Sequence, residues 1–438
     1  MSRGPASLRK RLWLAGGGVG LFLLTLVVAG PFFDRTPDAG KLGLGYDFLP
    51  AYVAGHFART GEFAKMYDRA AFSDMQTRVI READLEMDGR FGAGLNPPHF
   101  ALLFAPLSAL PYRTAAAVWL AANALMLAGS LALLVRMVPG DWKTRGLVPL
   151  LVVVSMPFCQ AAGHQQNTFL SLLVLATAVT CWRAGLPFAA GATAGLLFYK
   201  PQLALLVSLV LVADLGRRAM LGLGLTGVVT LIVTLVAMPG ALGEYLHTLP
   251  VNVDWIQNKL QYNWGRQVTF LGFWRLAIQG REVGPITLVV RGLWAACGLA
   301  FAVALIATFL RARRMASPHR DRLIAASIAC TPLLIPYFMD YDLLLLAVPA
   351  VLFAADVIRK GEWSRADCWT LRAWVALYAW AYLNPGLSGM LHVSLTVPLL
   401  AGVALGLVWR CGREPAASGT IEAAGEWPGP AERPPLAA

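Results

Sequence analysis

Charge is what this sequence has least of. Asp, Glu, Lys and Arg make up 14% of its 438 residues, while 57% are hydrophobic. A soluble domain carries about 25% charged residues, and surface-to-volume scaling would force so large an apolar surplus onto the outside of a soluble fold. A soluble globular protein is therefore excluded, and lipid is the natural solvent. Cysteine is also sparse and unpatterned. Cys159, Cys181, Cys297, Cys330, Cys368 and Cys411 include no CxxC pair, so neither a disulfide framework nor a zinc site is supported. They read as small packing residues. There is no P-loop, no GxSxG elbow and no metal-ligand spacing, so no metal and no cofactor is called for. No internal repeat is visible, which removes support for the inverted-repeat plan of many transporters.

One kind of charge is in excess. The formal net charge is +12, but the bases lie mostly in short loops between apolar runs, as membrane topology demands. Nucleic acid is therefore excluded as a partner, and the bilayer is the partner instead. The amino terminus reads Arg9-Lys10-Arg11 and then runs apolar from Leu12 to Gly30. That run is long enough to cross about 30 Å of hydrocarbon, and Gly30-Pro31-Phe32-Phe33 makes a poor cleavage site, so it reads as an uncleaved first span. Further apolar segments lie at 113–136, 147–162, 168–183, 186–199, 201–214, 219–239, 286–310, 323–338, 342–358, 369–384 and 390–409. The expectation is an all-α polytopic membrane protein of about twelve transmembrane helices. Its domains are a cytoplasmic terminus over 1–11, a transmembrane domain over 12–411 and a disordered tail over 412–438.

Alternation tests the orientation. With a cytoplasmic amino terminus, the basic loops 136–145, 214–218, 311–322 and 359–365 all fall inside, together with both termini. The short opposite loops 163–167 and 384–389 hold no Lys or Arg. This is the positive-inside pattern, and it points to a bacterial inner membrane. Two long loops, 31–112 and 239–285, then lie outside, where length signals structure or function. In the first, Phe48, Leu49, Tyr52, Val53 and Phe57 recur at helical spacing, as do Phe72, Met75, Val79 and Ile80. Both predict amphipathic interfacial helices. After Asn96-Pro97-Pro98, the stretch 100–110 is too short to span.

Polar residues at span ends gather on the outer face: Tyr46 and Asp47, His99, the run His164-Gln165-Gln166-Asn167, Lys200 with Gln202, Arg266 with Gln267, Asp340-Tyr341-Asp342, and Asn384. Each has a plain reading beside a functional one. Asp47 is a helix cap or a general base toward a hydroxyl. Lys200 is a snorkelling interfacial lysine or a cation that holds a phosphate, and Arg266 is a solvated loop base or a second phosphate ligand. The run 164–167 is turn polarity or a set of sugar-hydroxyl partners. Asp340 and Asp342 cap the following helix or contact substrate, since unpaired burial would be costly.

The order of these motifs resembles a known family. Asp47-Phe48 with Tyr52-x-Ala54, Gly61 and Met66-Tyr67-Asp68 looks like the first-loop signature of glycosyltransferase family 87, multispan enzymes related to mycobacterial polyprenol-phosphate-mannose-dependent mannosyltransferases. Asn96-Pro97-Pro98 with Pro106-Leu107 and Leu110-Pro111 resembles its proline-rich segment. Gly163-His164-Gln165-Gln166-Asn167 resembles its Gly-Gln-x-Asn hairpin, Tyr199-Lys200-Pro201-Gln202 its Lys-Pro element, and Pro336 through Asp340-Tyr341-Asp342 to Pro349 its late outer turn. His164 with the doubled Gln, and Asn96 in place of an aromatic, depart from the family pattern. The resemblance implies a GT-C bundle with an outward-facing site and a polyprenyl-phosphate sugar as donor, mannose first among the candidates. It also implies a lipid or glycan acceptor and transfer with inversion. Asp47 would be the catalytic base and Lys200 and Arg266 would hold the donor phosphate. Tyr46, His99, His164, Gln165, Asn167, Gln202, Asp340 and Asp342 would contact substrate. The competing expectation is a transporter or flippase of lipid-linked sugars, which would place ionisable residues at mid-span.

Overall fold

The computed structural model describes residues 47–85, 94–260, 262–312 and 320–411. The expected first span over 12–30, Tyr46 and the tail from 412 lie outside the described residues. Everything described is helix, turn or loop, apart from a single bridge between Gln267 and Met339.

The two expected amphipathic helices are present as α1 (Phe48–Thr60) and α2 (Arg69–Glu82). The proline-led stretch forms the seven-residue α3 (Pro98–Phe104). Their apolar faces meet in one cluster: Phe48 stacks on Trp119 (6.2 Å between centroids) and Phe100 on Tyr199 (4.4 Å). Offset aromatic pairs of this kind add stability beyond the area they bury. The first loop is thus bolted to the bundle by its rings.

The bundle opens with α4 (Tyr112–Met137). Next come α5 (Trp142–Val153) and α6 (Met156–Gly163), which bend by 53° at their junction. Lipid offers no donors for the carbonyls such a break exposes. Here two tyrosines of a later helix supply them: Tyr378 donates to the Leu151 carbonyl at 2.8 Å, and Tyr382 donates to that of Val154. Then follow α7 (Thr168–Arg183), α8 (Pro187–Gly195), α9 (Pro201–Leu215) and α10 (Arg217–Ala237). Helices α8 and α10 cross at close range. A Cβ added to Gly191 would lie 2.0 Å from the Ala219 carbonyl oxygen, and one added to Gly222 would lie 2.1 Å from that of Phe188. Small residues let backbones touch where there is no hydrophobic drive between helices in lipid.

The second loop contains α11 (Ala241–Asp254) and α12 (Phe270–Gln279). The chain closes with α13 (Leu288–Ala312), α14 (Arg320–Leu334), α15 (Ala347–Lys360), α16 (Arg365–Leu391) and α17 (Thr396–Cys411). A 3-10 turn, Asp340–Leu346, leads into α15.

Every expected apolar segment after the first lies largely in helix, yet few of these helices are long and apolar enough by themselves to cross a membrane. Among the described residues, four helices are long and apolar enough to cross a membrane: Tyr112–Met137, Arg217–Ala237, Leu288–Arg311 and Asp340–Lys360. Counting the bent α5–α6 pair gives five, against the expected figure of about twelve. Helices α7, α9 and α17 have 16, 15 and 16 residues, and at about 1.5 Å per residue they fall short of a hydrocarbon core of about 30 Å. Helix α16 has 27 residues but not the apolarity. Burial separates the long helices. Only 17–22% of the first three windows is buried, against 72% for Asp340–Lys360. The first three turn apolar faces outward, as lipid-facing helices do, and the fourth runs through the middle of the bundle.

Candidate active site

Asp47 occupies the position before α1 where a cap is expected, but it does not cap. Its backbone is already helical (φ −92°, ψ −8°) and its side chain makes no bond to the helix. Asp68, at the same position of α2, accepts from the Ala71 N–H at 2.8 Å. The Asp47 carboxylate instead faces the 164–167 hairpin: Oδ2 is 3.5 Å from His164 Nδ1, and the Gln166 side chain hydrogen-bonds to it. The backbones are joined as well, Asp47 N–H donating to the His164 carbonyl at 3.2 Å.

The hairpin is held in an unusual shape. Gln165 sits at φ +54°, a left-handed conformation that non-glycine residues seldom adopt. Two contacts maintain it. The Trp119 indole donates to the Gln165 carbonyl at 3.0 Å, and the Gln166 N–H donates to the Ala161 carbonyl at 2.9 Å. Trp119 also carries Phe48, so one aromatic platform fixes both sides of the Asp47–His164 contact. Gln165 Oε1 and Asn167 Oδ1 are buried without a hydrogen-bond partner, acceptors that would suit hydroxyl donors.

The two expected cations lie in the same cluster. Lys200, between a 3-10 turn and α9, is 9% exposed. It donates to both oxygens of Asp342, at 2.8 and 3.1 Å. A snorkelling lysine would be free at its tip; this one is buried and paired. Arg266, in the 3-10 turn Trp264–Arg266, grips Asp340 through Nε and Nη2 at 3.0–3.1 Å. It is a partly buried ion-pair member and no solvated loop base. Asp340 and Asp342 spend their oxygens chiefly on these cations. Tyr341 stands between, its ring 6.0 Å from Lys200 Nζ and 5.8 Å from the Arg266 guanidinium carbon.

Helix α16 presses the Arg266 turn into place. Asn384 Nδ2 donates to the Gly265 carbonyl at 3.0 Å, and a Cβ on Gly265 would lie 2.6 Å from Ser388 Oγ. Behind it, Arg275 lies fully buried over the Trp264 ring and donates to the carbonyls of Gly280 and Glu282.

Electrostatics follow from this crowding. Burial pushes the Asp47 carboxyl above its ordinary 3.8, opposed in turn by His164, by the Gln166 hydrogen bond, and by Arg266 and Lys200. Burial lowers the His164 imidazole below 6.5, with Asp47 pulling the other way. For Arg266, burial alone would lower the guanidinium, but the Asp340 carboxylate outweighs it and holds it above its usual value. The arrangement is thus a carboxylate of raised proton affinity beside an imidazole of lowered proton affinity, within electrostatic reach of two cations.

Not every expected residue joins. His99, in α3, is half-buried and forms no hydrogen bond or ion pair among the described residues, and burial lowers its imidazole. Gln202 is likewise half-buried without such a contact. Two residues of the cluster went unread in the sequence: Gln160, which donates to Asp340 Oδ2 at 3.0 Å, and Thr168, which donates to Asp342 Oδ1 at 2.7 Å. The available signal was position, since Gln160 stands one helical turn before His164 and Thr168 directly follows Asn167. Among the described residues, no group of three or more His, Cys, Asp or Glu side chains converges to hold a metal.

Comparison with known proteins gives one match. The model of glycosyltransferase family 87 matches residues 95–336. No curated protein and no solved structure matches the chain.

Proposed function

This chain belongs to glycosyltransferase family 87 and is a membrane glycosyltransferase, and from that premise we propose that it transfers a hexose, mannose first among the candidates, from a polyprenyl-phosphate donor to a hydroxyl of a lipid or glycan acceptor. The reaction takes place on the non-cytoplasmic face, where loop alternation puts the Asp47 cluster.

The carrying observation is the carboxylate of Asp47, which leaves its helix uncapped and faces His164 and Gln166 in one cluster with Lys200 and Arg266. Asp47 accepts the proton of the acceptor hydroxyl. That oxygen forms its bond to the anomeric carbon from the side opposite the phosphate. The anomeric carbon–oxygen bond breaks, its electron pair leaves on polyprenyl phosphate, and the sugar inverts. A carboxylate held above its ordinary pKa is a better base for this step. The phosphate needs no protonation when fixed cations meet its developing charge, so one carboxylate suffices.

The test incubates purified protein with polyprenyl-phosphate mannose, glucose or arabinose and a membrane lipid extract, and identifies products by mass spectrometry. One donor should yield a glycosylated lipid, and Asp47→Asn should lower that yield by orders of magnitude while folding normally. Full transfer by that variant would sink the assignment.

A further inference from the structure

Lys200 and Arg266 are the phosphate-holding cations of the proposed reaction, yet neither has charge to spare. Each is matched by a carboxylate from one three-residue turn: Asp342 on Lys200 and Asp340 on Arg266, with Tyr341 against both. The Arg266–Asp340 contact uses two guanidinium nitrogens on two oxygens, a geometry that phosphate oxygens can also satisfy. A donor phosphate that bonds to the same Nε, Nη2 and Nζ hydrogens has to take positions the carboxylates hold.

Resting on the phosphate-donor reading, we infer that Asp340 and Asp342 are internal competitors for the donor phosphate. They occupy Lys200 and Arg266 in the empty site, yield to phosphate on binding, and recapture the cations to expel the prenyl phosphate product. Each carboxylate has a neutral donor to keep when its cation is taken: Gln160 Nε2 on Asp340 Oδ2 and Thr168 Oγ1 on Asp342 Oδ1. Its desolvation is thus partly met in both states. The physical need is plain. Two largely desolvated cations without counter-ions would hold substrate and product phosphate alike, and such uniform binding slows turnover without helping the chemical step.

The test measures farnesyl phosphate binding to the full-length protein in nanodiscs by calorimetry, with farnesol as the uncharged control. Asp342→Asn and Asp340→Asn keep side-chain shape and remove one competing charge each, so each should bind farnesyl phosphate roughly tenfold tighter than wild type. Farnesol binding should not change, and product inhibition of turnover should deepen. Equal or weaker phosphate binding by a folded variant overturns the inference. Should both variants melt early, the wild type decides by hydrogen exchange. Farnesyl phosphate should lower protection of the backbone amides of 340–346, because the turn loses its cation anchors, and unchanged or increased protection overturns it. If wild type binds and the Asn variants do not tighten, this inference alone fails. If no form prefers farnesyl phosphate to farnesol, the phosphate-donor reading fails and takes the inference with it.

Discussion

The two ends of the central span Asp340–Lys360 carry buried charge in different ways. At its far end, Arg183, Arg320, Arg322, Arg359, Lys360 and Arg410 share the carboxylates of Asp214, Asp321, Asp356 and Asp367. Cations are in excess there, and three of the four carboxylates take two cations each. Asp356 takes both Arg322 and Arg410, and Asp321 takes Arg183 through two bonds and Arg359 through a third. At the near end the balance reverses. Three carboxylates, Asp47, Asp340 and Asp342, share two fixed cations, Lys200 and Arg266, and among the described residues Asp47 pairs with neither, having only the His164 imidazole within ion-pair distance. A cluster built to hold helices together satisfies every carboxylate, because an unpaired buried charge is costly. A cluster that leaves one carboxylate short of a cation keeps a group with a shifted proton affinity, which is what chemistry uses.

The sharpest way to break this comparison is to remove one carboxylate at each end. Asp47→Asn should reduce sugar transfer by about 10²–10⁴-fold, the range for losing a general base, while the melting temperature holds or rises. The sign follows from the pKa. Burial raises Asp47 in the folded protein, so its ionised form above that pKa opposes folding, and a neutral amide relieves the opposition. Asp356→Asn should do the reverse. It removes the carboxylate that Arg322 and Arg410 share, which should cost up to about 3–5 kcal/mol of stability, read as a fall in melting temperature or yield. An unstable Asp47→Asn beside a stable Asp356→Asn would mean the two ends have been assigned the wrong way round.

What was legible in the sequence divides along the same line. Apolar runs and helical spacing gave the helices, because those signals are local. Asp47 stood out for the same reason, at the head of an amphipathic helix. The pairings were not legible. Lys200 and Asp342 are 142 positions apart and Arg266 and Asp340 are 74 apart, and nothing in either neighbourhood names its partner. The number of spans was not legible because apolarity reports burial in lipid or protein alike. A 15-residue helix such as Pro201–Leu215 is apolar because it packs in the bundle, whether or not it crosses the membrane.

A pH profile sharpens the contrast with a smaller effect. The base form of Asp47 is lost as pH falls through its folded pKa, which burial holds above the ordinary 3.8. The acid limb of kcat/KM should therefore lie above the usual carboxylate range. His164 pulls the Asp47 pKa down, so His164→Gln should shift that limb to higher pH and leave its slope unchanged. A limb that stays in place would mean that some other group carries the proton.

The smallest expected effect tests whether the near end depends on placement as well as charge. Gly265 carries the turn that presents Arg266, and its carbonyl is held by Asn384. A Cβ there would sit 2.6 Å from Ser388 Oγ and 3.2 Å from Ser388 Cβ, so Gly265→Ala must turn the Ser388 hydroxyl aside and press the turn away from α16. No charge changes and little surface is exposed, so stability should fall by about 1 kcal/mol or less, within the usual range for single substitutions. If Arg266 acts on the donor, the displacement should appear mainly as a several-fold rise in donor KM. Ser388→Ala removes the nearest atom, so the double variant should recover most of that loss, a non-additivity expected of residues in direct contact. Additive losses in the cycle, or a KM unmoved by Gly265→Ala, would show that the position of the Arg266 turn does not limit donor binding, leaving the near end distinguished from the far end by its charge count alone.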